Sequence, residues 1–360
     1  MASLPPWHSH ITIDLLAEVA SYTIFHPFVA CIVPLCLRAQ ATPYTHLSFQ
    51  LAVAYAALVT LFHALAALSD RLAYGAPRHV DLEDEVIVIT GGASGLGLLI
   101  AEVYGMRGAS VAVLDVLDMP DAERKGISYY RCDVGDRAQI ELALKQVELE
   151  VLTSPPAQLG TPTILINNAA IVNGKPLLSL SPADLTRNFN VNLLAHYHTL
   201  QLVLPGMLAR PAGGTVVTVA SVLGYTGAAQ LSDYTAAKAA LVAMHTSLRA
   251  ELRQTRAPGA QALRTILVTP GQLATPLFAA LRTPSPFLAP VVEPVRLARD
   301  VIRLLDTGRG GRVSAPLYAG FIEWLGVLPE GLQTVVRRVS GVDSAMRAFG
   351  EEIGGERAEE

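Results

Sequence analysis

A buried strand that runs directly into a glycine-rich loop and a helix restricts the fold of this chain more than any other feature. Residues 86–90 read VIVIT, the pattern of a parallel strand covered on both faces. GGASGLG follows, and its glycines allow a tight turn that brings the backbone close to a pyrophosphate. The next helix directs its first N–H groups at that anion. We therefore predict an α/β fold, a doubly wound Rossmann-type parallel sheet.

The same loop and the strand after it indicate which dinucleotide binds. SVAVLD ends at Asp115, about twenty residues after the glycines, where a carboxylate accepts hydrogen bonds from ribose hydroxyls and repels a 2′-phosphate. Neither the loop nor the residues just after Asp115 include Arg or Lys, so NAD is the predicted cofactor and NADP is left open. The loop residues predicted to bind it are Gly91, Ser94, Gly95, Leu96 and Gly97.

Two further strand ends are predicted to border the cofactor. YYRCDV places Asp133 and Val134 at the end of a third strand, against the adenine; alternatively, Asp133 caps the helix that begins near Asp136. The strand TILIN ends at Asn167 and is followed by Asn168 and Ala169. The two adjacent asparagine amides can tie the central sheet together and border the cofactor.

The segment 221–238, SVLGYTGAAQLSDYTAAK, carries the predicted chemistry. Tyr234 and Lys238 stand one helical turn apart on one face. A nearby positive charge draws the phenol pKa from about 10 toward neutrality, which makes Tyr234 a candidate general acid/base. Ser221 ends the apolar run TVVTVAS, where its hydroxyl can hold a substrate oxygen. Coincidence on a surface helix is the alternative, because the spacing alone is a weak filter.

These motifs occur in an order and spacing that resemble the short-chain dehydrogenase/reductase family over residues 84–315. The resemblance implies that Tyr234 is the acid/base, that Ser221 holds the reacting oxygen, and that Lys238 binds the nicotinamide ribose and lowers the Tyr234 pKa. It also implies that Asn192 anchors a proton-relay water, although the residues alone leave open whether Asn192 is buried in a hydrogen-bond network or exposed. The residues that it places beside the nicotinamide are Pro270, Gly271 and Thr275.

The narrower resemblance is to membrane-associated retinol and hydroxysteroid dehydrogenases. It rests on the apolar N-terminal region, on FNVNLLAHYHTLQLVLPGML and on the SGVDSAM ending. It implies a lipophilic alcohol or carbonyl substrate and a location at the endoplasmic reticulum or a lipid droplet. Ala170, where the family usually has Gly, is a departure that we expect to shift packing slightly.

The N-terminal region explains an unusually apolar composition, 51% hydrophobic and 16% charged. Residues 47–68 carry no formal charge and form about 33 Å of helix, enough to cross a bilayer core. Residues 19–37 are also uncharged, but His26, Pro27 and Pro34 break a helix, so this run is a second span, a re-entrant piece or an interfacial helix. The alternative for both is a pair of core helices. Arg71 and Arg78 favour a cytosolic catalytic domain, which Arg38 weakens if both runs span.

We predict three parts: an N-terminal membrane-anchoring helical region of residues 1–80, a catalytic domain of residues 81–315 and an amphipathic extension and tail of residues 316–360. The long Pro-rich segment LATPLFAALRTPSPFLAPVVEP, residues 273–294, is predicted to form a substrate lid. PLYAGFIEWLGVLPEGLQTVVRRV is predicted to lie on the bilayer, to cover the substrate, or to pack on the domain or a second subunit. The final residues GEEIGGERAEE are expected to be solvated.

Partners follow from charge and composition. A net charge of −4 gives no basic excess for nucleic acid, and the three cysteines have no metal-type spacing. The Ala-rich helix TAAKAALVAMHTSLRAEL suits a homodimer interface or packing within one chain. Two alternatives to an NAD-dependent alcohol dehydrogenase are an NADPH-dependent carbonyl reductase and an inactive scaffold on a membrane or lipid droplet.

Overall fold

A parallel sheet forms the centre of the protein. The computed structural model describes residues 11–119, 121–122, 126–149, 160–278, 283 and 285–342. Within them the strands are β1 (Val86–Thr90), β2 (Ser110–Asp115), β3 (Ile127–Arg131), β4 (Ile164–Asn167), β5 (Thr215–Val219), β6 (Arg264–Pro270) and β7 (Gly311–Ala315), in the order β3-β2-β1-β4-β5-β6-β7. The order reverses between β1 and β4, which opens a crevice at their carboxyl ends. The predicted doubly wound fold is confirmed.

Helices cover both faces of the sheet because alternate residues of each strand point to opposite sides. Ile87 and Ile89 of β1 pack in a core with α4 (Gly95–Met106) and α9 (Pro294–Asp306). Val86 and Val88 pack in a second core with α5 (Arg137–Leu149), α7 (Ala195–Ala209) and α8 (Ser232–Gln254). All five residues of β1 are buried, as the uniformly apolar VIVIT predicts.

Between residue 11 and the sheet the structure has three α-helices: α1 (Ile13–Tyr22), α2 (Pro27–Ala39) and α3 (Leu47–Tyr74). Among the described residues α3 is the one helix that is long and apolar enough to cross a membrane, with a mean hydropathy of 2.1 over its most apolar window, of which only 11% is buried. The α1–α2 pair passes the same test as one span bent by 53°. The bend lies directly before Pro27, as the sequence predicts, because proline cannot donate the hydrogen bond that would continue the helix.

Helices α2 and α3 form a hairpin whose two ends return to the catalytic domain. Ala30 packs on Ala56 and Val59, and the Tyr55 hydroxyl donates to the Ile24 carbonyl. In the last turn of α3, the Ala73 carbonyl accepts a hydrogen bond from the Arg249 guanidinium at 2.7 Å. The start of α1 also contacts the catalytic domain, so the helical region is attached at both ends.

The structure differs from the sequence prediction at several element boundaries. β3 ends at Arg131, two residues before Asp133, and edge strand β7 was missed because Gly310 and Gly311 obscure its apolar alternation. The extension after β7 is two 3-10 helices, Leu317–Gly320 and Ile322–Val327, and then α10 (Glu330–Ser340), because Pro329 interrupts the helical pattern. Residues 150–159, which include most of the Pro-rich run TSPPAQLGTP predicted as a loop, lie outside the described residues, as do 279–282 and 284 of the predicted lid segment and residues 343–360.

Candidate active site

The glycine loop lies at the carboxyl end of β1, where it turns into α4. Gly91 and Gly95 adopt φ values of +64° and +55°, which side chains with a Cβ rarely tolerate. Ser94 precedes the first turn of α4, and its side chain makes no capping bond to the helix. The N-terminal N–H groups of α4 therefore remain directed at an approaching anion.

Asp115 is fixed beside this loop. Its carboxylate accepts hydrogen bonds from the N–H groups of Ala93 at 2.9 Å and Leu117 at 3.0 Å, and the residue is 7% exposed. The first of these bonds joins the end of β2 to the glycine loop. A carboxylate is thus held where the ribose of a bound dinucleotide would lie in a fold of this type.

Thr90, which the sequence reasoning missed, links β1 to β4. Its hydroxyl oxygen accepts hydrogen bonds from the N–H groups of Asn168 at 3.0 Å and Ala169 at 3.2 Å. The Asn168 amide donates to the Gly91 carbonyl at 2.8 Å. A sequence signal for this role was available, because Thr90 is the one polar residue in the otherwise aliphatic strand VIVIT and stands at its carboxyl end. These bonds tie the two central strands together beside the cleft.

One cleft of about 380 Å³ brings together most of the predicted site residues. Those that line it are Gly91, Ser94, Gly95, Leu96, Asp115, Asp133, Val134, Asn168, Ala169, Tyr234, Lys238, Pro270 and Thr275. Within the described part of the chain, the predicted residues that do not line it are Gly97, Asn192, Ser221 and Gly271. The cleft thus extends from the glycine loop to the Tyr234 side chain.

Gly97 and Gly271 are not among the residues that line the cleft, and both are tightly packed against other parts of the chain. A Cβ on Gly97 would lie 2.4 Å from the Gly91 carbonyl oxygen, so only glycine lets α4 approach the loop. A Cβ on Gly271 would lie 2.7 Å from the Tyr318 hydroxyl oxygen. Sequence motifs do not distinguish a glycine needed for ligand contact from one needed for protein contact.

Several cleft residues were not predicted from the sequence. Arg187 of α6 (Pro182–Phe189) and Val191 line the cleft four residues apart, a helical spacing that was available as a signal. Phe278 lies edge-on to Tyr234, with ring centroids 6.2 Å apart. The phenol is therefore enclosed by apolar and aromatic surface contributed by residues distant in sequence.

Tyr234 is almost fully buried at the inner end of the cleft, 3% exposed. Burial raises the pKa of its phenol above the ordinary value, and a hydrogen bond with Ser221 lowers it in part. The Ser221 hydroxyl oxygen also accepts the Leu223 N–H at 3.1 Å, which orients it at the start of a 3-10 turn. Tyr234 and Ser221 are brought together as predicted, but the expected shift of the pKa toward neutrality is wrong for this structure.

The position of Lys238 explains that difference. Its side-chain nitrogen donates to the Val219 carbonyl at the end of β5, at 2.9 Å, and lies 5.6 Å from the Tyr234 ring centroid. Burial lowers the pKa of Lys238 to about 7, because a charged ammonium loses its hydration there. The lysine is thus anchored to the sheet, and burial has the largest effect on the pKa of the Tyr234 phenol.

Asn192 lies in a buried hydrogen-bond pair. Its side-chain oxygen accepts the Ile171 N–H at 2.9 Å and its amide donates to the Ile171 carbonyl at 2.8 Å. The residue belongs to a π-helical turn, Asn190–Leu194, between α6 and α7. Such turns are frequent at functional sites. Of the two alternatives, the structure has the buried network.

Asp133 lies at the cleft with a local role as well. Its carboxylate accepts the Gly135 N–H at 2.8 Å, within the turn after β3. The cap of α5 is Asp136, whose carboxylate accepts the Ala138 N–H at 2.9 Å, so the alternative that Asp133 caps this helix is wrong. No group of three or more His, Cys, Asp or Glu suited to a metal occurs among the described residues.

Relatives of known sequence identify the family. The sequence model of the short chain dehydrogenase family matches residues 85–285. Human 17-beta-hydroxysteroid dehydrogenase 13 is 29% identical over 274 residues, 74% of this chain and 86% of the relative. Human retinol dehydrogenase 10 is 28% identical over 310 residues, 76% of this chain and 87% of the relative. These relatives confirm the predicted resemblance to retinol and hydroxysteroid dehydrogenases.

Solved structures show the same fold. A 4-hydroxyisoleucine dehydrogenase complexed with NADH superposes with a TM-score of 0.53 at 22% identity, covering 64% of this chain and 96% of that one. A 3-ketoacyl-(acyl-carrier-protein) reductase from Brucella melitensis, complexed with NADH, gives 0.53 at 23%, covering 65% and 98%. Because the family model matches more than half of its length, the chain belongs to the short-chain dehydrogenase family of NAD(P)-dependent oxidoreductases.

Proposed function

We propose that the protein transfers a hydride between NAD(H) and a lipophilic alcohol or carbonyl compound, with Tyr234 as acid/base. The observation that carries this proposal is the single cleft in which the glycine loop and Asp115 at one end meet Tyr234 and Lys238 at the other. A dinucleotide fits these residues: the two left-handed glycines form a cradle without side chains, and the N-terminus of α4 faces the phosphates. When bound, the nicotinamide would supply or accept the hydride.

The residues of the chain have distinct tasks in this proposal. Tyr234 gives a proton to the reacting oxygen of the substrate or takes one from it. Ser221 holds the same oxygen with a hydrogen bond. Lys238, anchored on the Val219 carbonyl, binds the nicotinamide ribose. Asn192 holds the Ile171 backbone in the position from which a water could connect Lys238 to solvent. Ala169, Pro270 and Thr275 border the nicotinamide end of the cleft.

NAD is the proposed cofactor because Asp115 presents a buried carboxylate at the ribose end. A 2′-phosphate would lie against this negative charge, and like charges in contact disfavour binding. Arg187 also lines the cleft, but on α6, and it is not adjacent in sequence to Asp115. We therefore expect a preference for NAD over NADP that depends on Asp115.

Replacing Asp115 with asparagine tests this preference. Asparagine keeps one acceptor oxygen for the backbone N–H groups of Ala93 and Leu117 and removes the charge, so we expect the ratio of kcat/KM for NAD to that for NADP to fall about tenfold or more. Asp118→Asn is the matched control, because Asp118 pairs with Arg131 on the surface and lies outside the cleft lining. An unchanged ratio in Asp115→Asn would show that another group sets the cofactor.

A lipophilic substrate is proposed from the surroundings of Tyr234. Leu231 is buried against the phenol, and Val172, Leu223, Ala228 and Phe278 pack around both. Apolar side chains of the later segments 285–292 and 316–327, including Phe287, Leu288, Phe321 and Trp324, are exposed. Retinol and 17-beta-hydroxysteroid dehydrogenases, named for lipophilic alcohols, are among the relatives. A retinoid, steroid or fatty alcohol suits such a site.

The membrane proposal follows from α3, which exposes its apolar side chains along most of its length. We propose that α3 crosses the membrane of the endoplasmic reticulum, or inserts into a lipid droplet, with the catalytic domain in the cytosol. Because the start of α1 and the end of α3 both contact the catalytic domain, the N-terminus should lie on the cytosolic side too. Arg38, near the opposite end, stacks on the Tyr44 ring.

Protease protection in sealed microsomes tests this topology. An epitope tag at the N-terminus and the catalytic domain should both be digested from outside without detergent, since cytosolic segments are accessible there. Protection of the tag with digestion of the domain would contradict the hairpin. Protection of both would contradict the cytosolic orientation.

The proposed reaction is tested with the full-length protein in detergent. We expect absorbance of the reduced nicotinamide to rise when NAD is mixed with one member of a panel of retinol, steroid and long-chain alcohols. A carbonyl reductase is the second candidate, favoured by the burial that raises the Tyr234 pKa, because a protonated phenol donates to a carbonyl oxygen. Faster turnover with ketones or aldehydes and reduced cofactor would select it. Cofactor binding without turnover in either direction would support an inactive scaffold.

A further inference from the structure

Helix α1, at the start of the apolar region, packs against three separate segments of the catalytic domain. The first is the chain after β7, the second is the start of α9, and the third is the returning limb of the loop after β6, residues 285–292. The outgoing limb of that loop, residues 272–278, supplies part of the cleft wall. A helix that served only to anchor the protein to a membrane would need none of these contacts.

Asp14 makes the central contact. The residue is 7% exposed, and its carboxylate accepts the Leu317 N–H at 3.0 Å. Arg296 of α9 lies 3.7 Å from Asp14 and 3.3 Å from Glu18, one helical turn further along α1. A buried carboxylate costs free energy unless it is hydrogen-bonded and paired. Asp14 is therefore held in this position by the catalytic domain and holds the Leu317 backbone in turn.

Leu317 begins a 3-10 helix, Leu317–Gly320, that packs against the residue following Pro270. In the next position, Tyr318 lies so close to Gly271 that a Cβ there would be 2.7 Å from the phenol oxygen. The Gly271 N–H donates to the Ala315 carbonyl at 2.7 Å. Gly271 directly follows Pro270, which lines the cleft. A shift of Leu317 would thus displace Tyr318 and Gly271, and with them the cleft wall at Pro270.

The second contact of α1 fixes the loop limbs. The Ile13 N–H donates to the Phe287 carbonyl at 3.1 Å, in the returning limb. That limb is joined to the outgoing limb by a bridge between Leu273 and Val292, with the Val292 N–H bonded to the Gln272 carbonyl at 2.8 Å. The outgoing limb then places Thr275 and Phe278 in the cleft.

We propose that α1 is a positioning element of the active site and that Asp14 is its positioning residue. By holding the Leu317 backbone, Asp14 sets the cleft wall that faces the lipophilic substrate, so the membrane-anchoring region shapes the substrate end of the site. The proposal rests on the proposed function for its kinetic readout. The glycine loop and Asp115 lie on other elements, so cofactor binding should depend little on Asp14.

Asp14→Ala in the full-length protein tests this role. We expect the KM for the alcohol to rise about tenfold, because the Leu317 N–H loses its acceptor and the wall shifts. NADH affinity, measured by fluorescence titration, should stay within about twofold. Asp14→Asn retains an acceptor and should recover most of the KM. Glu18→Ala is the matched control, because Glu18 contacts the same Arg296 from a more exposed position.

Hydrogen exchange gives a readout that does not depend on the reaction. In Asp14→Ala the N–H groups of Ala274 and Val292, which bridge the two limbs, should exchange faster, while those of β1 should not change. An unchanged KM with unchanged exchange at the limbs would overturn the proposal. Faster exchange throughout the sheet with weakened NADH binding would also overturn it, since Asp14 would then be a general stabilising residue. Absence of turnover in the unaltered protein would refute the proposed function alone, because the exchange comparison still decides the role of Asp14.

Discussion

Replacing Tyr234 with phenylalanine is expected to lower turnover by about 10²–10⁴-fold, the usual contribution of a positioned acid/base. Phenylalanine fills nearly the same buried volume against Leu231 and Phe278, so the fold should be retained. The change removes the oxygen that exchanges a proton with the substrate and that hydrogen-bonds Ser221. Loss of turnover should therefore occur with little change in NADH affinity.

Tyr104→Phe is the matched control for this experiment. Tyr104 is also fully buried, but it lies on α4 and donates its hydroxyl hydrogen bond to Asp306 at 2.9 Å, outside the cleft lining. We expect it to leave kcat near that of the unaltered protein. Hydride transfer at the full rate in Tyr234→Phe, measured in a single turnover at the reduced-nicotinamide absorbance, would contradict the mechanism.

Much of the fold and the site follows from local patterns in the sequence. The order of strand, glycine loop and helix, the carboxylate at Asp115 and the spacing of Tyr234 and Lys238 each depend on a few neighbouring residues. A parallel sheet then brings their carboxyl ends to one edge, which is why separated motifs meet in one cleft. Local signals and sheet topology together were sufficient to locate the cleft.

Features that depend on contacts distant in sequence could not be predicted. The bond between Asp14 and Leu317 joins residues 303 positions apart. The raised pKa of Tyr234 depends on burial by Phe278 and other residues of separate segments, and burial is set only when the chain has folded. For the same reason, the motif does not reveal the close protein contacts of Gly97 and Gly271.

A buried ion pair between Arg78 and Glu85 lies at the junction between the helical region and the sheet. Arg78, just after α3, forms two hydrogen bonds with the Glu85 carboxylate, at 2.6 and 2.9 Å, and both side chains are almost fully buried. The Arg78 guanidinium also donates to the Thr215 hydroxyl at 2.9 Å, and Thr163 donates to Glu85. The pair therefore joins the start of β1 to the starts of β4 and β5.

We expect Glu85→Ala to lower the free energy of unfolding by about 3–5 kcal/mol, because it leaves the Arg78 charge buried without its partner. The double variant Arg78→Met/Glu85→Leu should be considerably less destabilised, since it removes both charges and keeps apolar volume. Asp118→Ala, which breaks an ion pair with Arg131 in which both side chains are more than 70% exposed, is the surface control and should change stability little.

Thermal and urea unfolding of the full-length chain in detergent would measure these differences. A double variant as unstable as Glu85→Ala would show that the junction depends on the specific hydrogen bonds to the two threonines and not on charge compensation. A single variant as stable as the unaltered protein would mean that solvent reaches Arg78. In the expected case, the pair is costly to break chiefly because a lone buried charge remains, and removing both charges recovers much of that cost. The bidentate pair also fixes how the chain leaving α3 enters the sheet, because it connects Arg78 to Glu85 directly before β1.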